Sequence, residues 1–261
     1  GAKLSSLTGV LDYSFARYEI HPTEDISLVD ENPRRAPASV NSVVKAASFN
    51  LGNFFNGDGQ GGGFPTSRGA ATFDDYVRQR EKLISALTAI DAALLGVAEL
   101  ENDGFTAKSA MQDLVSGLNE ATPGAYSFID PGLDHIGDDE ITCGIIYKPE
   151  FLTPVGDLAI LDHTVDPMFD ASNRPSLAQM FQDKNEQLVI FVINHFRSKS
   201  TPCPGDEDAG DGQGHCNQTR VNAAIALKEW LAANPTGAND DDILIMGDFN
   251  AYCHEDPLTV L

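Results

Sequence analysis

The run Ile243-Leu244-Ile245-Met246-Gly247-Asp248-Phe249-Asn250 sets a carboxylate and a carboxamide two positions apart, just after four apolar residues. On an extended chain such positions point the same way, so Asp248 and Asn250 are presented together at a strand's carboxyl end, where open α/β sheets place ligands. A carboxylate there can hold a metal ion or orient a water. An amide can hydrogen-bond a phosphoryl oxygen without adding negative charge. An Asp-x-Asn turn closing a buried strand uses the same residues, and the pair alone does not decide between the two readings. Three other strand-like runs end in kind: Asn50 closes 43–50, Glu99 follows 92–98, and His195 closes 187–196. Four polar ends after four apolar runs suggest convergence on one site. Two carboxylates, two amides and an imidazole suit metal-assisted hydrolysis of a phosphoester, since Mg²⁺ takes few protein carboxylates and keeps several waters.

Each member has a plainer reading. Glu99 can simply be solvated, and Glu101 shares its alternation; Glu99 is favoured because it directly follows the strand. A lone His is usually structural, but His195 stands between Asn194 and the basic pair Arg197 and Lys199. In a chain with 17 Lys and Arg, such a pair favours an anionic substrate over two surface charges. Arg174, before Pro175, reads as a loop salt bridge or a phosphate contact. Asp206, Glu207, Asp208 and Asp211 form an acidic loop that can take a structural Ca²⁺, although its spacing is not an EF-hand's and a solvated loop fits better. Asn217-Gln218-Thr219 matches a glycosylation acceptor and is read as a helix cap.

The 261 residues, 42% hydrophobic, are enough for one large domain with a small appendage. No apolar run approaches a membrane span, so no stable membrane insertion is expected, and Gly1-Ala2-Lys3 reads as a processing boundary. The net charge of −22, from 17 basic against 39 acidic residues, argues against a non-specific grip on polyanions unless divalent cations neutralise the site. Cys203 and Cys216 bracket a Gly/Asp loop and read as a staple in an oxidising compartment. Cys143 and Cys253 have no assigned partner, and no Cys/His spacing predicts zinc.

Residues 1–36 form an N-terminal extension or the tail of an upstream β domain: 10–20 alternates roughly as one strand, and Asn32-Pro33-Arg34-Arg35-Ala36-Pro37 reads as a linker. The main domain is 37–261. A Gly-rich loop covers 57–69, and a helix capped by Thr72 or Asp74 runs to Ile90. A second helix is expected over 106–119 and a third over 219–233. Strands are expected at 126–130, 141–147, 152–160, 177–182 and 187–196, with Lys148-Pro149-Glu150 and Asp183-Lys184-Asn185 as hairpin turns. The β-α-β-α opening favours an α/β layout.

SFNLGNFF (48–55), GVAELEN (96–102), IIYKP (145–149), NRPSLAQMF (173–181), NHFRSK (194–199) and GDFNAY (247–252) together resemble the endonuclease/exonuclease/phosphatase superfamily, in the family's order. The wording is most similar to the large extracellular nucleases of bacteria, which carry a phrase like GVLDYSFARYEIHPT (9–23) upstream. The resemblance implies a four-layer α/β/β/α sandwich of two mixed sheets, deoxyribonuclease-like. It implies Asn50 and Glu99 at a Mg²⁺ or Mn²⁺ ion, Asp248 and Asn250 orienting water and holding phosphate, and His195 as acid/base or electrostatic partner. Arg174, and with less support Arg197 and Lys199, would contact the substrate phosphates. The family ends in an Asp-His motif that nothing after Tyr252 supplies, so the resemblance implies further strands beyond Leu261. The expected activity is that of a secreted bacterial phosphodiesterase, extracellular or at the cell surface, acting on DNA, with RNA left open. The alternatives are a phospholipid or phosphomonoester hydrolase, for which Phe54, Phe55 and Phe64 are membrane-contact candidates although packing at the strand end fits the first two better, or a non-catalytic DNA- or surface-binding fragment. Endo or exo cleavage and oligomeric state stay open.

Overall fold

The computed structural model describes residues 3–14, 17–29, 42, 44–238 and 240–261. The chain divides into two compact units, 1–39 and 40–261. In the first unit β1 (Lys3–Leu4) pairs antiparallel with β4 (Leu28–Val29), and β2 (Gly9–Ser14) pairs antiparallel with β3 (Arg17–Pro22). The stretch 10–20, expected as one strand, is therefore two: Tyr13 lies opposite Tyr18 with ring centroids 4.9 Å apart. Alternation alone does not separate 9–14 from 17–22 into two strands, and cross-strand aromatic pairing adds to their hold on each other. The linker expected at 32–37 lies outside the described residues.

The second unit carries two four-stranded sheets. The first has the order β5 (Ala46–Phe54), β6 (Leu94–Glu101), β8 (Ile141–Tyr147), β7 (Ser127–Phe128). The second has the order β12 (Ile243–Asp248), β11 (Leu188–His195), β10 (Arg174–Asp183), β9 (Leu152–Leu161). The β5–β6 and β11–β12 pairs are parallel and the rest antiparallel, so both sheets are mixed. Alternation along each strand divides its apolar residues between two cores. On β6, Leu95 and Val97 face helices α1 (Phe73–Ile90) and α2 (Ala110–Ala121), whereas Leu94 and Ala98 face the second sheet. On β11, Phe191 and Ile193 complete that inter-sheet core, while Ile190 and Val192 pack under α3 (Asn217–Ala232) beside Leu261 at the end of α4 (Asp256–Val260). Helix, sheet, sheet, helix is the expected α/β/β/α sandwich. Burial of each such Leu, Ile or Phe contributes about 1.5–3 kcal/mol. Gly96 lets the sheets approach: a Cβ there would stand 2.6 Å from Ile193 Cδ1.

Local chemistry sets the element ends. Thr72 caps α1, its hydroxyl accepting from Asp75 N at 3.2 Å, and Asp74 and Asp75 suit the positive end of the helix. The second helix starts at Ala110, not 106, because Ser109 is its cap and Asp103 accepts the Ala110 N–H. The strand expected at 126–130 shortens to two residues at the sheet's edge. Lys148-Pro149-Glu150 is no hairpin turn: β8 and β9 belong to different sheets, and this turn carries the chain across the sandwich. Asp183-Lys184-Asn185 does close a hairpin, with Gln182 opposite Leu188. Finally, β12 is not a fully buried strand. Among the described residues it pairs on one side only, and Ile243 and Leu244 are each 37% exposed. A continuous apolar run cannot distinguish an edge from a centre.

Candidate active site at the carboxyl ends of the two sheets

Register alone brings three of the sequence-selected residues into a row. On the second sheet Arg174 is the cross-strand partner of His195, and His195 is the partner of Asp248. Gly247 makes this possible. It lies opposite Asn194 at φ +136°, and a Cβ would stand 2.1 Å from the Asn194 carbonyl oxygen, so only glycine allows the two strands to close at this point. The facing sheet supplies Asn50, whose strand places it, with Ser48, on the inter-sheet side.

Glu99 reaches the site by a different device. By strict alternation it would share the helix-facing side of Leu95 and Val97. Its backbone is instead left-handed, φ +58°, where the register of β6 with β8 shifts between Val97 and Leu100. The bulge re-aims the side chain toward the second sheet. Asn250 (φ +47°) and Asn53 (φ +54°) share this uncommon conformation. Three non-glycine residues in sparsely populated backbone at one sheet end mark a place where structure yields to side-chain placement.

The side chains meet. Asn50 Nδ2 donates to Glu99 Oε1 at 2.9 Å and to Asp248 Oδ2 at 3.0 Å, while Asn50 Oδ1 accepts from Gly52 N at 2.9 Å. Glu99 Oε2 accepts from Asn53 N at 2.9 Å. His195 Nε2 is 4.0 Å from Glu99 Oε1, and His195 is 3% exposed with Nδ1 unpartnered. Burial and the Arg174 guanidinium hold the imidazole below the ordinary histidine pKa, against the pull of Asp248, Glu99 and Asp139. The imidazole is thereby held toward its neutral form. Arg174 is 7% exposed; its Nε lies 3.0 Å from Asp139 Oδ2, and its Nη1 is buried with no hydrogen-bond partner. A cavity of about 300 Å³ opens here, lined by Ser48, Asn50, Ala98, Ile193, Asp248 and Phe249.

Among the described residues no group of three or more His, Cys, Asp and Glu side chains is arranged to hold a metal ion. The set here is two carboxylates sharing one amide, hard oxygen donors of the kind and number that suit Mg²⁺ or Mn²⁺. Asn50, Glu99 and Asp248 fit such an ion. In the amide's present orientation its nitrogen faces both carboxylates, and a half-turn of the amide would present Oδ1 in its place.

The remaining selected residues separate. Asn250 Nδ2 donates to the Phe196 carbonyl at 3.0 Å and Asn250 N donates to Asp248 Oδ1 at 2.9 Å, so this amide braces the Asp248 turn. Arg197 lends its charge to Asp170, and its Nε is buried without a partner. Lys199 is ion-paired to Glu255 and lies 4.5 Å from the Tyr252 ring centroid. Glu101 sits in a neighbouring cavity of about 470 Å³ with Asp103, Asp138, Asp139 and Glu140. Burial, aided by Asp103 and Glu140, pushes its carboxyl up to about 7, and burial pushes Asp103 up to about 6. Asp139 went unselected in the sequence. It bridges Arg174 and Arg68, whose Nη2 is 3.0 Å from Asp139 Oδ1, and its only sequence signal is the acidic triplet before β8.

The loop after His195 is stapled by the expected Cys203–Cys216 disulfide, while Cys143 is buried and Cys253 exposed, both free. Asn217-Gln218-Thr219 does not cap α3, because Asn217 already lies in the helix. Asp206 caps it from the stapled loop, accepting from Gln218 N at 3.1 Å and from Thr219 N and Oγ1 at 2.7 Å each. The fully buried Arg220 then ties Gln213 O and His215 O to the turn beyond His195 through Arg197 O.

No protein-family model and no curated protein matches the chain. Among solved structures it is similar to the human Nocturnin catalytic domain with bound sulfate, at 17% identity over 69% of this chain and 60% of that one, TM-score 0.46. It is also similar to a humanized D. rerio TDP2, at 14% identity over 82% and 69%, TM-score 0.48. A third is an endonuclease/exonuclease/phosphatase from Beutenbergia cavernae, at 12% identity over 80% and 48%, TM-score 0.43. The chain thus spans 60% of the Nocturnin domain and about half of the Beutenbergia protein. The α/β/β/α layering stands on the two sheets and three cores of the chain itself.

Proposed function

We propose that this protein is a divalent-metal-dependent phosphodiesterase of the endonuclease/exonuclease/phosphatase kind, acting on DNA, with RNA as the second candidate substrate. One observation carries the reading: Arg174, His195 and Asp248 stand in register on one sheet and face Asn50 and Glu99 of the other. Asn50, Glu99 and Asp248 would hold Mg²⁺ or Mn²⁺. The ion when bound supplies positive charge against the phosphoryl oxygens. Arg174 directs an unpaired, desolvated Nη1 at a non-bridging oxygen, where a guanidinium is worth more than in water. Asp248 orients the attacking water and Asn250 fixes the turn that aims it. Water adds to phosphorus, the P–O bond to the leaving group breaks, and the departing oxygen takes a proton. Neutral His195 is placed to hydrogen-bond the phosphate or accept the water's proton.

The lipid-hydrolase alternative loses its membrane-contact candidates, since Phe54 and Phe55 are buried and Phe64 packs on Phe73 and Tyr76. Among the described residues no helix is long and apolar enough to cross a membrane. The Cys203–Cys216 disulfide supports an extracellular or cell-surface location. The test is nicking of supercoiled plasmid with Mg²⁺ or Mn²⁺. Nicking should vanish in chelator and fall by about 10²-fold or more in His195→Ala and Asp248→Ala, with circular dichroism unchanged. Undiminished nicking in either variant overturns the assignment.

A further inference from the structure

We propose that the open face of Tyr252 is a nucleobase-stacking platform beside the site, an inference that rests on the function proposed above. β11 and β12 run parallel with His195 opposite Asp248. Each chain continues four residues and the two meet again, where Lys199 Nζ stands 4.5 Å from the Tyr252 ring centroid. Glu255 fixes both partners. It accepts from Lys199 Nζ at 2.5 and 2.6 Å and from Tyr252 N at 3.1 Å. The ring is thus held by its backbone and covered on one face, yet Tyr252 is 76% exposed. It contributes nothing to the three cores. Four residues span at most about 14 Å, so the open face lies within reach of a nucleotide flanking a phosphate at Asp248.

The ligand chemistry follows from charge. A chain of net charge −22 has little Coulombic hold on a polyanion, and Lys199 is neutralised by Glu255 rather than free for phosphate. Stacking is uncharged and accepts any base, because every base has a π-face. An unpaired strand therefore fits this platform better than a closed duplex.

The test measures affinity of the full chain, with Mg²⁺, for a fluorescent oligothymidylate and for an equal-length abasic oligonucleotide. The wild-type chain should prefer the base-bearing strand, and Tyr252→Ala should shrink the ratio of the two affinities about tenfold, the usual range for one stacked base. Tyr252→Trp should keep the ratio. An equal ratio in wild type and Tyr252→Ala, no preference in the wild type, or no binding of either strand overturns the platform. Cleavage of both strands is followed in the same samples. Absence of cleavage with the binding ratio intact counts against the hydrolase reading and leaves the platform standing.

Discussion

At the scale of single residues, the least conspicuous side chain of the site sets the direction of a buried guanidinium, that of Arg174. Asp139 is the only carboxylate at ion-pair distance from Arg174 among the described residues, and it shares its other oxygen with Arg68 of the Gly-rich loop. Asp139→Asn keeps the shape and removes the charge, so Arg174 keeps its place in β10 but loses its anchor. The expected result is a fall in kcat/KM for DNA of about tenfold or more, since a charge-assisted contact is worth roughly 1.5–3 kcal/mol. Arg68→Ala, which leaves the Asp139–Arg174 pair in place, should cost less. Steady-state kinetics with thermal unfolding on the same variants separates rate from stability, and full activity in Asp139→Asn would remove Asp139 from the site. Asp139 was illegible in the sequence because an acidic triplet before a strand looks like a solvated turn. Glu99 was legible by its position after an apolar run, although alternation would have aimed it at the helices. A bulge corrected that, and bulges leave no pattern in composition.

Elements were legible wherever periodicity and caps agreed. Helix α1, the central strands β6, β8 and β11, and the β10–β11 hairpin that adds the fourth central strand follow from Thr72, from apolar runs and from one Asp-Lys-Asn turn. The misplaced helix starts share a cause: a carboxylate from the preceding loop takes up the first free N–H groups. Asp206 caps α3 from across a disulfide, and Asp103 sits on Ala110 N at the start of α2. That second contact has a pH signature. Burial raises the Asp103 carboxyl from the ordinary aspartate range to about 6. A group whose folded pKa is raised contributes stability below its unfolded value and loses it as pH climbs through the folded one. Asp103→Asn, which keeps an acceptor for the helix N–H and cannot ionise, should therefore gain on the wild type between about pH 4 and pH 7. The full shift would give roughly 3 kcal/mol, and partial solvation of the carboxyl brings the plateau above pH 7 to about 2 kcal/mol. Urea unfolding at pH 4 and pH 8 measures it, and an equal difference at both would show that Asp103 does not titrate in this window.

At the scale of the whole molecule, layering and charge act together. The α/β layout was readable from apolar runs alternating with helical stripes, whereas the four-layer sandwich was legible only through the family resemblance of the strand-end motifs. Which strands form the edges was not readable, since hydrophobicity marks burial potential and not neighbours. The charge has a consequence of its own. Thirty-nine acidic residues against 17 basic ones give −22, and the site adds two carboxylates on one amide. A basic DNA-binding protein loses affinity steeply as salt rises, because counterions leave the DNA on binding. Here the long-range force is repulsive, and salt screens repulsion just as it screens attraction. In chelator, DNA binding should therefore be weak and should hold level or strengthen as monovalent salt rises from about 50 to 200 mM. Mg²⁺ should strengthen it further by neutralising the carboxylates where the phosphate sits. Fluorescence anisotropy with a labelled oligonucleotide checks both signs. Tight binding in chelator that weakens steeply with salt would mean that a local basic groove, not a metal-bridged site, holds the substrate.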